Sequence, residues 1–302
     1  MAIASTPTPR LRLVVQHPEL SQQAIDAFAA RLGAPPGDHA STGPDVAVWE
    51  NVDLPRAEVE ALAARLQVDA ALVPTQARLA DYRLLAFDMD STLITIECID
   101  EIADFAGRKA EVAAITEAAM RGEIKDYDES LRRRVALLAG LDHAVLDRVF
   151  RDRLRLSPGA TELLAAARKH GLRTLLVSGG FTYFTRRLQA DLGLDHVHAN
   201  TLEVIDGKLT GRVLGRILNA DGKARALRDA CQTIGCTTAE AIALGDGAND
   251  LQMMALAGVS VAYRAKPIVR AQTTYAITYC GLDAVLNLLR VGGRRFRYYR
   301  SR

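Results

Sequence analysis

Asp88 and Asp90 stand one residue apart at the end of the apolar run Leu84-Leu85-Ala86-Phe87. Such a run reads as a buried parallel strand, and it delivers both carboxylates into the loop beyond its carboxyl end, where open α/β sheets bind ligands. Two acids this close repel each other, and burying them unpaired costs on the order of a few kcal/mol each. A divalent cation is the simplest compensation, and oxygen donors favour hard Mg2+ over zinc. With that charge balanced, one carboxylate can attack a phosphorus atom while the other carries protons to the leaving oxygen and from the attacking one. Asp90, Ser91 and Thr92 are also good helix caps, so this pair alone leaves a purely structural role open.

A second apolar run, Ala241-Ile242-Ala243-Leu244, ends in Gly245-Asp246-Gly247-Ala248-Asn249-Asp250. Two strands of one sheet aiming acids at one crevice make a cation site far better supported than either alone. A third strand, Leu172 to Val177, runs into Ser178-Gly179-Gly180 with a helix expected from Phe181. Backbone N–H groups and the Ser178 hydroxyl can converge there on phosphate oxygens, although a strand-to-helix turn needs small residues in any case. Lys223, in Asp221-Gly222-Lys223 at the start of another helix, opposes the macrodipole and hints at a nearby anion.

These strands must belong to one α/β domain. At 302 residues the chain has room for two domains. Residues 1 to 80 are expected to form a small α+β unit and linker. Strands are expected at Leu11 to Val15, Val46 to Trp49 and Val68 to Val73, with helices at Gln22 to Leu32 and Arg56 to Leu66. Gly33 to Pro44 reads as a loop and Pro74 to Tyr82 as the linker, in an order that suggests a ferredoxin-like module resembling a shortened ACT-type domain. Residues 81 to 302 carry the chemistry. Between about 97 and 155 the pattern turns wholly helical, which predicts a cap over the site. In its third helix Tyr127, Leu131, Val135 and Leu138 share one face, and of three consecutive arginines only Arg134 falls on that stripe. An arginine there needs an anion, either an acid of another cap helix or a substrate carboxylate. Glu97 opens the first cap helix, where the macrodipole favours an acid without further reason.

Other classes are disfavoured. The net charge of +2 gives no basic field for nucleic acid or a membrane surface. Cys98, Cys231, Cys236 and Cys280 show no zinc or disulfide spacing, and the histidines match no nucleophile motif. Met1 to Arg10 lacks the apolar stretch of a signal peptide, so a reducing cytoplasmic setting is expected. The basic-aromatic tail, with Arg294, Arg295, Phe296, Arg297, Tyr298, Tyr299, Arg300 and Arg302, reads as a frayed terminus, with RNA or anionic lipid as the alternative role.

In order along the chain, Asp88-Met89-Asp90-Ser91-Thr92, Ser178-Gly179-Gly180, Lys223 and Gly245-Asp246-Gly247-Ala248-Asn249-Asp250 resemble the motifs of the haloacid dehalogenase superfamily. Glu97-Cys98-Ile99-Asp100-Glu101-Ile102, Ser130-Leu131-Arg132-Arg133-Arg134-Val135, Ser178-Gly179-Gly180-Phe181 and Ala265-Lys266-Pro267 resemble the branch of that superfamily acting on O-phosphoserine. The resemblance spans roughly Leu84 to Leu289 and implies an α/β fold with a Rossmann-like, doubly wound parallel sheet and a helical cap beside the small amino-terminal α+β unit. It implies Mg2+-dependent release of serine from O-phospho-L-serine through an aspartyl-phosphate, the last step of serine biosynthesis. Asp88 would be the nucleophile and Asp90 the acid and then the base. Mg2+ would be held by Asp88, the Asp90 carbonyl and Asp246, with Asp250 orienting its bound water. Ser178, Gly179 and Lys223 would bind the phosphoryl group, Asn249 would support it, and Glu97 and Arg134 would take the substrate ammonium and carboxylate. The same residues would serve transfer to another alcohol such as homoserine, and an inert, amino-acid-sensing protein is the reading from a different class. The partner implied is a small molecule; a homodimer is compatible with the sequence.

Overall fold

The structure is a computed structural model and describes residues 10–35, 39–43, 45–121, 123–291 and 297–299. The amino-terminal unit runs β1 (Leu11–Gln16), α1 (Gln22–Leu32), β2 (His39–Gly43), β3 (Val46–Val52), α2 (Arg56–Leu66) and β4 (Asp69–Pro74). Ser21 starts α1 by accepting the Ala24 N–H, and Gly33, at φ 65°, ends it in the left-handed conformation that glycine adopts without penalty. The expected loop from Gly33 to Pro44 therefore contains a strand. His-Ala-Ser-Thr-Gly has weak β propensity, but β2 is held by pairing with β3, so neighbouring backbone outweighs composition.

Leu13, Val15, Ala47 and Trp49 face α1 and α2, forming one core with Ile25, Phe28 and Val59. Val14, Val48 and Val73 point the other way and join the core of the larger α/β body. Side chains of β1 and β3 on both faces of this sheet are thus buried. Polar contacts seal the seam. Asp69 accepts the N–H groups of Thr278, Tyr279 and Cys280 at 2.7, 3.0 and 2.9 Å. The fully buried Arg12 donates to the Leu288 carbonyl at 2.8 Å.

The larger α/β body begins with β5 (Leu84–Phe87). Cap helices α3 (Cys98–Phe105), α4 (Lys109–Met120), α5 (Tyr127–Ala136) and α6 (Ala144–Arg148) follow. The chain then re-enters the body with α7 (Ala160–Lys169), β6 (Arg173–Phe181), α8 (Thr182–Leu192), and the hairpin β7 (His196–Ile205) and β8 (Lys208–Leu214). Asp206 and Gly207, both at positive φ, make the hairpin turn as the sequence predicts. The remaining elements are α9 (Ala220–Ile234), β9 (Ala241–Gly245), α10 (Leu251–Met254), β10 (Val259–Tyr263), α11 (Pro267–Arg270), β11 (Tyr275–Ile277) and α12 (Val285–Leu288).

The seven-stranded sheet has the order β11-β10-β9-β5-β6-β7-β8, parallel except for β8. Helices cover both faces. Leu84, Ala86 and Val177 pack on Leu227 of α9 and Met253 of α10, while Leu85, Phe87 and Leu176 face Leu163 of α7 and Phe184 of α8. The strands carrying the two acid motifs and the Ser-Gly-Gly motif, β9, β5 and β6, are immediate neighbours, so their carboxyl ends share one crevice.

The tail differs from a frayed end over its described part. A last strand, β12 (Arg297–Tyr299), pairs with β2 and completes a five-stranded antiparallel sheet, β12-β2-β3-β1-β4. Arg294, Arg295, Phe296, Arg300 and Arg302 lie outside the described residues, as do residues 1–9. Among the described residues no helix is long and apolar enough to cross a membrane.

Candidate active site

Asp88 leaves β5 with its N–H bonded to the Leu244 carbonyl of β9, which fixes its backbone between the two acid-bearing strands. Its Oδ1 accepts the Met89 N–H at 2.7 Å, and its Oδ2 lies 2.8 Å from Lys223 Nζ. Lys223 is fully buried and also reaches Asp250 Oδ1 at 2.7 Å, while Asp250 Oδ2 accepts the Gly247 N–H at 3.0 Å. One ammonium therefore ties α9, β5 and the turn after β9 together, with one of its three hydrogens left to donate.

After Asp88 the chain makes a wide turn, Met89–Leu93, in which Ser91 takes a positive φ of 54°. The turn swings Asp90 back under the cap, where its Oδ1 accepts the Cys98 N–H at 3.0 Å and its Oδ2 faces Ser178 Oγ at 3.4 Å. Asp246 Oδ1 accepts the Thr92 hydroxyl at 3.0 Å. Asp88, Asp246 and Asp250 each bring a ligand oxygen within 4.8 Å of the others.

The electrostatics follow from this crowding. Burial and the charge of Asp250 push Asp88 well above the usual carboxylate range, with Lys223 offsetting part of the effect. Burial and Asp250 likewise push Asp246 up to about 6. Burial raises Asp90 against the pull of its Cys98 contacts. Burial also works against the charge on Lys223, yet Asp250 and Asp88 outweigh it and hold the ammonium well above its usual range. Buried negative charge exceeds what Lys223 neutralises, and the donors of the Asp88, Asp246 and Asp250 cluster are all carboxylate oxygens. That combination fits a hard divalent cation.

Ser178 and its glycines depart from expectation. The strand does not stop at Val177; β6 continues through Ser178-Gly179-Gly180 to Phe181, which pairs with Asn200 of β7 after a register shift. Neither glycine has a positive φ. They are small because neighbours approach closely: a Cβ on Gly180 would lie 2.6 Å from Asp90 Oδ2, and one on Gly179 would collide with the Tyr127 hydroxyl. Ser178 Oγ accepts the Gly180 N–H at 2.8 Å.

The cap residues occupy the rim. Glu97 Oε1 accepts the Ser91 hydroxyl at 2.7 Å. Burial of its carboxyl end and the charge of Asp90 push Glu97 up to about 8, although the residue is exposed on its outer side, where solvent screens part of the effect. Arg134 is half-buried on α5, its Nε reaching only the Ser130 carbonyl at 3.4 Å. Among the described residues Arg132 and Arg133 pair with Asp128 and Glu129, whereas Arg134 forms no ion pair. Asn249 stands apart from the cluster's hydrogen bonds, with its amide packed beside Gly247.

Two site residues escaped sequence reasoning. Asn200 is buried, donates to the Gly179 carbonyl at 2.8 Å and accepts the Leu218 N–H at 2.7 Å, so it ties the Ser-Gly-Gly segment to the approach to α9. Tyr127 reaches that segment from the cap. Its place on an apolar helical stripe gave it the look of a core residue, and nothing in the local pattern marks either side chain as part of the site.

A doubly wound sheet, an inserted helical cap and acids at adjacent strand ends define a hydrolase class, and the model for the haloacid dehalogenase-like hydrolases matches residues 85–255. The chain belongs to that family. It is 58% identical over 217 residues to a protein named phosphoserine phosphatase from a Polaromonas species, an alignment covering 70% of this chain and 92% of the relative. Among solved structures, a haloacid dehalogenase family hydrolase from Salmonella enterica serovar Typhi superimposes with a TM-score of 0.83 at 32% identity, covering 93% of this chain and 99% of that one. A probable phosphoserine phosphatase from Vibrio cholerae, unliganded, gives a TM-score of 0.79 at 36% identity, covering 95% and 89%.

Proposed function

We propose that this chain hydrolyses O-phospho-L-serine to L-serine and phosphate through a phosphorylated Asp88, with Mg2+ as the cation of the acid cluster. The observation that carries the reading is Lys223 bridging Asp88 and Asp250 at 2.8 and 2.7 Å inside that cluster, in a chain whose relatives bear that enzyme's name.

In the first step an oxygen of Asp88 attacks phosphorus. The bond from phosphorus to the serine oxygen breaks, its electron pair stays on that oxygen, and Asp90 supplies the proton. Burial disfavours the carboxylate form of Asp90, which suits it to start protonated; it disfavours that of Asp88 as well, and a cation held beside Asp88 would favour the ionised form that attack requires. The Cys98 N–H holds Oδ1 and leaves Oδ2, beside Ser178, to transfer the proton. In the second step water attacks phosphorus and gives a proton back to Asp90, and Asp88 leaves as a carboxylate. The free hydrogen of Lys223, the Ser178 hydroxyl and the Gly179 N–H bind phosphoryl oxygens throughout. Asp88, the Asp90 carbonyl and Asp246 would hold the cation, with Asp250 orienting its bound water, and the cation when bound would draw charge from the phosphoryl oxygens. Glu97 and Arg134 would read the ammonium and carboxylate of the substrate. The absence of an ion pair for Arg134 among the described residues supports that role.

Free Cys98, Cys231, Cys236 and Cys280 agree with a reducing, cytoplasmic setting. Phosphoryl transfer to a second alcohol is not favoured, since the relatives are named phosphatases. Phosphate release from a panel of phosphate esters, with and without Mg2+ and beside Asp88→Asn, tests the reading. Selective, cation-dependent turnover of phosphoserine that the substitution abolishes is expected. Turnover surviving in Asp88→Asn would remove Asp88 as the nucleophile, and turnover of many esters without preference would remove the substrate assignment.

A further inference from the structure

Tyr127 is the first residue of α5, on the cap, yet its hydroxyl lies against the backbone of Gly179 on β6. The ring packs on the core of the catalytic body. The hydroxyl makes no hydrogen bond among the described residues. The charges acting on the phenol are those of Lys223, Arg134, Asp88 and Asp90, the groups assigned above to the phosphoryl and carboxylate ends of the substrate. Burial pushes this phenol up to about 12, so it keeps its proton and remains a donor.

The local structure holds it there. Asp126 caps α5 by accepting the Asp128 N–H at 2.9 Å. Asp128 in turn accepts the Asn219 amide at 3.1 Å, and Asn219 caps α9, the helix that carries Lys223. From the core side, Asn200 pins the Gly179 carbonyl and Ser178 Oγ accepts the Gly180 N–H, which sets the peptide plane beneath the hydroxyl. A half-buried donor with no protein partner among the described residues, held over a phosphate cradle, is placed to meet an anion.

We propose that the Tyr127 hydroxyl donates a hydrogen bond to a phosphoryl oxygen of the bound substrate, making it a catalytic residue contributed by the cap. It joins Ser178, the Gly179 N–H and Lys223, and couples the seating of the cap to stabilisation of the phosphoryl group. The proposal rests on the phosphatase reading, and the experiment separates the two.

The full chain with Mg2+ and its Tyr127→Phe variant are assayed on phosphoserine and on p-nitrophenyl phosphate, which has neither ammonium nor carboxylate. Binding of inorganic phosphate is measured by calorimetry, and the thermal midpoint controls for folding. Loss of a donor to a charged oxygen is expected to lower kcat/KM by about tenfold to hundredfold, by the same factor on both esters. Phosphate affinity should fall severalfold while the midpoint stays in place. A variant within about twofold of the parent on both esters, or one impaired on phosphoserine alone, overturns the proposal. Should the parent hydrolyse neither ester, the phosphatase reading falls by itself. Phosphate binding still decides the contact, because equal affinity in parent and variant overturns it.

Discussion

Lys223 offers the sharpest test of how the site is held together, because its ammonium faces several buried acids. Replacing it by methionine keeps the length of the side chain and removes the charge. The oxygens of Asp88, Asp246 and Asp250 then lie within 4.8 Å of one another with no cation between them. At an effective dielectric constant of about 20, each ionised pair repels by roughly 3 kcal/mol. Removing one partner of a buried ion pair costs about 3–5 kcal/mol in measured cases, so a loss of that size is expected for the metal-free variant at pH 8. The loss should shrink at pH 5, and the sign follows from the direction of the shifts. Asp88 and Asp246 are already raised in the folded parent, and the substitution raises them further. A carboxyl whose folded value lies above its unfolded one favours folding at low pH, and that advantage disappears as pH rises through the folded value. The window therefore opens near pH 4, the ordinary value for aspartate, and extends beyond the value of about 6 for Asp246 in the parent. Urea unfolding at pH 5 and pH 8, with and without Mg2+, measures the effect, and added Mg2+ should restore part of the loss at pH 8 only. Turnover should fall by about a hundredfold to a thousandfold, as when a principal charge-stabilising donor is removed. Equal destabilisation at the two pH values, or turnover kept within about tenfold of the parent, would refute the account of Lys223 as the neutralising centre.

Arg134→Ala should raise KM for phosphoserine by about 10- to 100-fold, the worth of a charge-assisted pair, and change turnover of an ester without a carboxylate far less. Equal losses on both esters would exclude Arg134 as the reader of the carboxylate. Asp69→Asn should destabilise the chain by about 2–4 kcal/mol, because an amide oxygen cannot accept all three N–H groups of Thr278, Tyr279 and Cys280, and its own N–H would face one of them. Urea unfolding together with hydrogen exchange at those three amides reads this directly; an unchanged midpoint with unchanged protection would show that the seam does not depend on the carboxylate.

Much of the catalytic sheet was legible because buried parallel strands are continuous apolar runs. The runs ending at Asp88 and before Asp246 are strands bounded as expected. The Asp206-Gly207 turn was legible for an equally local reason, since both residues tolerate positive φ. The second strand of the amino-terminal unit was not, because His39 to Gly43 looks like a loop until β3 and β12 supply partners. The extension of β6 through Ser178-Gly179-Gly180 was hidden too. Glycines suggest a turn, whereas here they make room for Asp90 and Tyr127, which arrive from distant parts of the chain.

The sequence by itself supplied the candidate groups, side chains whose chemistry suits attack, proton transfer, cation binding or phosphate neutralisation, and the apolar runs that bring them to strand ends. Those properties are chemical or local, so they survive in a one-dimensional reading. Only the tertiary structure decided which group faces which. It set Lys223 between Asp88 and Asp250, tied Asn200 to the Gly179 carbonyl, and brought Tyr127 of the cap onto the strand beneath it. Charge interactions and hydrogen bonds act over a few ångströms of space regardless of separation along the chain. Protonation states, and with them the division of labour among these acids, therefore emerge only once strand order and helix packing have fixed those distances.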